Sequence, residues 1–415
     1  MKNASDWQKA LLVIFTVLWL SIGTAILVVG WTPTWTALQV PTLSPIFADM
    51  RTVQGSIKSE ELGFDPQVKN PGDFWYRSMN YPKIWIWIAK LVQLDNETNY
   101  VVFICAYILV YILCCFFILR ISPSLYVLLA VFSGASLLAV ERGNNDLLAF
   151  VILFIGIYFS QNYFRAFSIL LATILKVYPV LLVFIFMKKT KMFILLVLLI
   201  AVYFVFTAGE LKILMAGNTA LTDPASLFAT YGLATNFNNT MQLMYLIVGQ
   251  SALTYEIYKY MFIIGSLLLI ILFSRIKIIV NNSSTLITDL FVAGAIIFSG
   301  TYIITSNWDY RLIFLLFCIP YLLNIQNRFV KHSILISILI SSNSMFLSSN
   351  QIFEIIGQFG ISLCIMSKYY TFIMITSLLI KQSRQYLPIY LLDLLKANMV
   401  RLKDSILSKG SGVQE

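Results

Sequence analysis

Three short stretches set charged and amide side chains beside aromatic ones where apolar runs end: Glu-Arg-Gly-Asn-Asn-Asp at 141–146, Leu-Lys-Val-Tyr-Pro at 175–179 and Asn-Trp-Asp-Tyr-Arg at 307–311. A further segment, Pro-Ile-Phe-Ala-Asp-Met-Arg at 45–51, adds the carboxylate of Asp49. These are the residue types of proton transfer and anion binding. Asp49 supplies a base, with Asp65 in reserve, and Lys176, Arg142 and Arg311 supply cations. An arginine can hold two oxygens of a phosphate at once, whereas a lysine acts as a compact point charge. Ionisable groups near hydrocarbon are costly, so they usually face a bundle interior or a water-filled cavity and handle something polar there.

Each residue also has a plain structural reading. Asp49 would pair with Arg51, Arg142 with Asp146 or Glu141, and Arg311 with Asp309. Asn144, Asn145 and Asp146 at a helix start would cap it, and Asp65 before Pro66 would close a turn by holding backbone amides. Tyr178, Trp308 and Tyr310 suit a sugar ring or a lipid channel, but aromatics at a membrane interface need no such role.

The elements that position these residues must be membrane helices. The 415-residue chain is 59% hydrophobic and 12% charged, with a mean hydropathy of +0.83, which excludes a soluble globular domain. Apolar runs near the ~20 residues needed to span a bilayer recur at 9–30, 99–119, 123–140, 192–208, 256–274, 285–304, 332–347 and 360–380. The first follows Lys2 and Lys9 and is read as a retained helix with a cytoplasmic start. Arg120, Arg165, the 188–191 lysines, Arg275, Lys277, Arg328, Lys331, Lys381 and Arg384 lie in short connections assigned to the cytoplasm. This threading gives an all-α polytopic membrane protein with about 12 (10–13) transmembrane helices, both termini cytoplasmic and the charged clusters on the outer side of an inner or plasma membrane. It makes residues 164–186 rise and return, with Lys176 to Pro179 at the turn, because proline cannot continue a helix. The alternative is one continuous helix with Lys176 buried mid-membrane.

Residues 1–381 form one transmembrane domain, with outer loops at 31–98 and 209–255, and 382–415 a basic cytoplasmic tail. Residues 386–409 mix leucines with Lys and Arg, as an amphipathic helix on an anionic leaflet would. The net charge of +10 is ordinary positive-inside bias and implies no nucleic-acid partner. All five cysteines lie in apolar runs, and there is one histidine, His332. No glycine-rich phosphate loop, His-Glu-x-x-His, cysteine pair or serine elbow occurs, so nucleotide-driven transport, zinc hydrolysis and serine hydrolysis have no support. Oxygen ligands alone would suffice for Mg²⁺ or Mn²⁺, but neither a metal site nor a cofactor is expected.

The order of these motifs resembles a known family. A long outer loop carrying an Asp, then Gly-Phe-Asp-Pro at 63–66 and Asn-Tyr-Pro at 80–82, then Arg-Gly-Asn-Asn-Asp opening a helix and Lys-Val-Tyr-Pro, is similar to glycosyltransferase family 87 over most of residues 10–330. The resemblance implies a type C glycosyltransferase fold and an inverting membrane enzyme. Such an enzyme takes a sugar, mannose or a similar hexose, from a polyprenyl-phosphate donor and passes it to a lipid or glycan acceptor on the periplasmic or external side, among membrane lipids. It maps the catalytic Asp onto Asp49. Lys176, Arg142 and Arg311 then hold the donor phosphate, and Asn144, Asn145, Asp146, Tyr178, Trp308, Asp309, Tyr310 and Asp65 face sugar or acceptor. Glu-Arg-Gly-Asn stands here where many relatives have Gly-Gln-x-Asn, so the identities of sugar and acceptor do not carry over. A lipid-linked polysaccharide polymerase or ligase is the nearest alternative, and a transporter or flippase the alternative without chemistry.

Overall fold

The computed structural model describes residues 6–159, 161–186, 189–216, 230–248, 252–281, 283–304, 306–348 and 354–383. They are mostly helical. Helix α1 (Asp6–Val29) is followed by three shorter helices within residues 31–98, α2 (Trp31–Ala37), α3 (Ala48–Glu61) and α4 (Ile84–Leu91). Then come α5 (Glu97–Ile121), α6 (Leu125–Val131), α7 (Gly134–Glu141), α8 (Asp146–Tyr158) and α9 (Asn162–Leu175). A 3₁₀ segment, Tyr178–Phe186, leads to α10 (Thr190–Phe206), α11 (Ala208–Ala216), strand β1 (Thr230–Tyr231), α12 (Leu233–Val248), α13 (Ala252–Arg275) and α14 (Thr285–Ile304). Strand β2 (Asn307–Trp308), a second 3₁₀ segment (Asp309–Phe317), α15 (Ile319–Leu322), α16 (Arg328–Ser342), α17 (Ser344–Ser348) and α18 (Glu354–Ser383) complete the order.

Among the described residues five helices are long and apolar enough to cross a membrane, at Asp6–Val29, Glu97–Ile121, Ile257–Arg275, Thr285–Ile304 and Gly360–Ser383. A sixth arises if α10 and α11, bent by 78° at Thr207, count as one broken span. The chain is therefore an all-α membrane protein, with shorter apolar helices at Leu125–Glu141, Asp146–Tyr158 and Asn162–Leu175. Their shortness has local causes. The run expected at 123–140 divides at Phe132, because the Ser133 hydroxyl accepts from the Ser136 amide and starts a new helix. The run at 332–347 similarly divides between α16 and α17 at Asn343.

The expected break at Lys176 is present. Lys176 leaves α9 with extended backbone (φ −155°, ψ 116°), and the Tyr178–Phe186 segment packs back on α9, which a continuous helix from 164 to 186 could not do. The segment expected as the first loop, 31–98, is ordered and carries α2, α3 and α4. Where it is described, the second expected loop, 209–255, carries helices of its own, α11 and α12, with the two-residue strand β1 between them in sequence. Apolar residues of Leu233–Val248 fall at helical spacing between the polar ones, which a reading for loop composition overlooks. The basic tail beyond residue 383 lies outside the described residues.

Polar side chains hold the bundle interior together. Arg165 of α9 pairs with Asp289 of α14 at 2.8 Å, both nearly buried. Hydroxyl pairs such as Ser337–Thr371 (2.7 Å) and Thr376–Ser299 (2.8 Å) tie α16 and α14 to α18. Between helices in hydrocarbon, such bonds substitute for the hydrophobic drive that lipid removes.

Candidate active site

The site forms where the N-terminus of α3 meets the turn between α7 and α8. Phe47, in a left-handed conformation (φ 58°), gives its carbonyl to the Tyr100 hydroxyl at 2.6 Å, and the Asp49 amide donates to the Arg142 carbonyl at 3.1 Å. These contacts bring the 31–98 segment down onto residues 142–146. Gly143 makes the approach feasible. Its φ is +56°, and a Cβ there would stand 2.9 Å from both Phe47 Cβ and Ile104 Cγ2. We predict that Gly143→Ala destabilises the protein by roughly 2 kcal/mol or more, since the left-handed conformation alone costs ~1–2 kcal/mol and the contact adds to it. Thermal unfolding in detergent measures this, and an unchanged midpoint contradicts it.

Asn144 is clamped on both sides. Its Nδ2 donates to Asp49 Oδ2 at 2.5 Å, while its Oδ1 accepts the Asp146 amide at 2.8 Å. It therefore does what a helix-start residue does and also aims one carboxylate. Asp49 remains half-buried. Burial raises its pKa above the ordinary carboxylate value, against the Asn144 hydrogen bond and the nearby charges of Arg142, Arg77 and Lys176, which lower it. Asp49 does not pair with Arg51, whose guanidinium instead holds Glu97 with two bonds of 2.6 and 2.7 Å.

Asp146 is the centre of the cationic cluster. Fully buried at the start of α8, it takes Lys176 at 3.0 Å and the Tyr178 hydroxyl at 2.8 Å on Oδ1, and Arg311 at 3.3 Å on Oδ2. Lys176 also donates to Asn145 Oδ1, and Arg311 to Asn307 Oδ1. Each cation lies over an aromatic ring, Lys176 over Tyr81 at 4.7 Å and Arg311 over Tyr178 at 4.6 Å. Tyr310 lies within electrostatic reach of Asp49 and Asp146. Two cations thus share one carboxylate, leaving excess positive charge in a sheltered place that Asp49 faces. That is a setting for an anion.

Other expected residues have different partners. Arg142 turns to Glu141 (Nε–Oε2 3.1 Å) and reaches the Pro41 carbonyl, while Glu141 Oε1 accepts the Leu43 amide at 3.2 Å. The Glu-Arg pair therefore fastens residues 41–43 to the end of α7. Asp309 does not pair with Arg311. It is buried against Lys368 of α18 at 2.7 Å and accepts from the Ser344 hydroxyl. Trp308 aligns with Thr230 in the antiparallel two-residue ribbon and is partly exposed. Asp65 salt-bridges Lys83 at 2.8 Å and accepts the Gln67 amide at 3.1 Å, in keeping with the turn. Partial burial works to raise its pKa, but Lys83 and that amide outweigh it and hold the carboxyl below the usual range.

Sequence reading missed Arg77, Tyr81 and Lys368. Arg77, fixed by Asp73 at 3.0 Å and stacked on Trp75, donates to the Ala48 carbonyl at 2.6 Å, one residue from Asp49. Arg77 follows Asp73 by four residues in a Gly/Pro-rich loop, a spacing that was the one available signal. Among the described residues no group of three or more His, Cys, Asp or Glu is gathered as a metal would require. No family model, curated protein or solved structure matches the chain.

Proposed function

We propose that the protein is an inverting membrane glycosyltransferase that moves a hexose, mannose or a similar sugar, from a polyprenyl-phosphate donor to a lipid or glycan acceptor. In this reading about twelve crossings, the short and broken helices among them, build a type C glycosyltransferase-like fold in a plasma or inner membrane. Both termini are cytoplasmic and the site opens to the periplasmic or external side. The observation that carries the proposal is the pairing of a half-buried carboxylate, Asp49, with a sheltered cluster in which Lys176 and Arg311 share Asp146. Base and cations stand on one connected set of hydrogen bonds through Asn144, Asn145 and Asp146.

The chemistry balances on these groups. Asp49 takes the proton of an acceptor hydroxyl, the acceptor oxygen attacks the anomeric carbon from the face opposite the phosphate, and the bond from that carbon to the phosphate oxygen breaks. Polyprenyl phosphate departs with the electron pair, and Lys176 and Arg311 stabilise the charge that develops on its oxygens. Tyr81 and Tyr178, lying against those cations, fix their positions so that little reorganisation accompanies the step. No cofactor is required, and nucleic acid plays no part. A transporter would need charged groups lining a path to both faces, whereas the cluster joins one end of α8, the α9 break and the start of the Asp309–Phe317 segment.

The test is binding. Purified protein in nanodiscs should bind polyprenyl phosphate, and Lys176→Ala should weaken it by about tenfold to a hundredfold, the worth of a charge-assisted hydrogen bond. Arg142→Ala should change it far less, because Arg142 is engaged by Glu141. Equal affinities for wild type and Lys176→Ala would remove the phosphate from this cluster.

A further inference from the structure

We propose that the outward face of α4 is immersed in the hydrocarbon of the outer lipid leaflet, holding the Lys176 site at the level of the lipid phosphates. The helix, Ile84–Leu91, is apolar on both sides. One side belongs to the protein core: Trp85 and Ala89 are fully buried and Ile86 nearly so. The other presents Ile84, Trp87 and Leu91, which are 36%, 76% and 83% exposed and follow the i, i+3, i+7 spacing of a single helical face. A soluble surface helix turns its polar residues to that side. This one turns its largest apolar groups there.

The exposure does not come from loose attachment. Lys83 at one end is paired with Asp65 at 2.8 Å, Lys90 at the other with Glu60 at 2.5 Å, and the Trp85 indole donates to the Leu175 carbonyl at 2.9 Å. The helix is therefore anchored with its apolar face outward. Lipid is the occupant because the neighbouring helix is itself apolar and exposed along one stripe. α4 packs on the Leu175 end of α9, up to which Phe164, Phe167, Leu171 and Ile174 run as a stripe of exposed and partly exposed apolar side chains, in a chain with several membrane-length helices. An eight-residue helix of ~12 Å is too short to span, so it lies in the interface, where tryptophan is favoured and lysine stems reach to the headgroups. The Leu175 bond then fixes Lys176, the next residue, at headgroup depth, and an anion held by a lipid tail reaches it sideways.

Depth measurement tests this without any assay of activity, so its failure and the failure of the transferase reading are separable. Nitroxide labels at Trp87→Cys and Leu91→Cys, on a Cys105→Ser background because Cys105 is the exposed cysteine among the described residues, are compared in lipid nanodiscs with a Glu61→Cys control. Oxygen should relax the labels at 87 and 91 more than a water-soluble nickel chelate does, with the reverse at 61. Chain-brominated lipid should quench wild-type fluorescence more than that of Trp87→Phe, a check that needs no label. Nickel access at 87 and 91 would overturn the proposal in favour of water. Protection from both reagents would overturn it in favour of a protein partner or a second copy.

Discussion

Replacing Asp49 by Asn should lower transfer by about 10²- to 10⁴-fold, the usual contribution of a positioned general base, while leaving the protein folded. Asparagine keeps the shape and can still meet Asn144, so the loss measures the missing proton acceptor rather than a collapsed turn. The pH dependence follows with a definite sign. A base works when ionised, and burial holds the Asp49 pKa above the ordinary carboxylate value. Transfer in the wild type should therefore rise with pH and level off only above that raised value, and the acid limb should be absent from whatever rate Asp49→Asn retains. Arg77 opposes the burial, so Arg77→Gln should move the acid limb to higher pH. Initial rates across pH for the three proteins provide the check, and an acid limb that stays in place in Asp49→Asn assigns it to another group.

Asp146→Asn should cost about 3–5 kcal/mol of stability, the penalty for removing one partner of a buried charge pair. The substitution leaves Lys176 and Arg311 facing each other without a counterion and takes one acceptor from Tyr178. Lys176→Ala should cost less, because Arg311 still compensates Asp146. The double variant Asp146→Asn/Lys176→Met should recover part of the loss, since it removes the repulsion while keeping the aliphatic stem. Denaturant unfolding in a mixed-micelle system reads all three. Asp146→Asn as stable as wild type would mean that the two cations do not depend on it.

The chain discloses its chemistry unevenly, and the reason is sequence distance. The break at Lys176 was legible because proline and a charge inside an apolar run act locally. Asn144 as a helix-start residue was legible for the same reason, and so was the turn at Asp65. Ion pairing was not. Arg311 stands 165 residues from Asp146 and Asp309 stands 59 from Lys368, and neighbouring charges in the sequence offered nearer partners that the fold does not use. Asp146, expected as a cap, a partner of Arg142 or a sugar ligand, pairs with Lys176 and Arg311. Arg142 did take its neighbour, Glu141, so the Glu-Arg pair has a structural task in fastening residues 41–43. The division of the 123–140 run depended on a single serine hydroxyl, a signal too weak against continuous hydropathy. The helices at 208–216 and 233–248 were hidden by a composition that reads as loop.

These placements join into one electrostatic account. The 31–98 segment brings one carboxylate to a cluster whose positive charge exceeds what Asp146 neutralises, and α4 presents its exposed apolar face beside it. The lipid-linked phosphate of the proposed donor would satisfy both demands, anionic at the site and hydrocarbon beyond it.

The most direct measurement is whether the protein cleaves a sugar from its carrier. Purified wild-type protein in proteoliposomes, given labelled polyprenyl-phosphate hexoses and a membrane extract as acceptor, should release free polyprenyl phosphate in step with appearance of the label in a new product of inverted anomeric configuration. Labelled donor recovered intact on the opposite face of the bilayer, or no cleavage with any donor in the panel, would contradict the account.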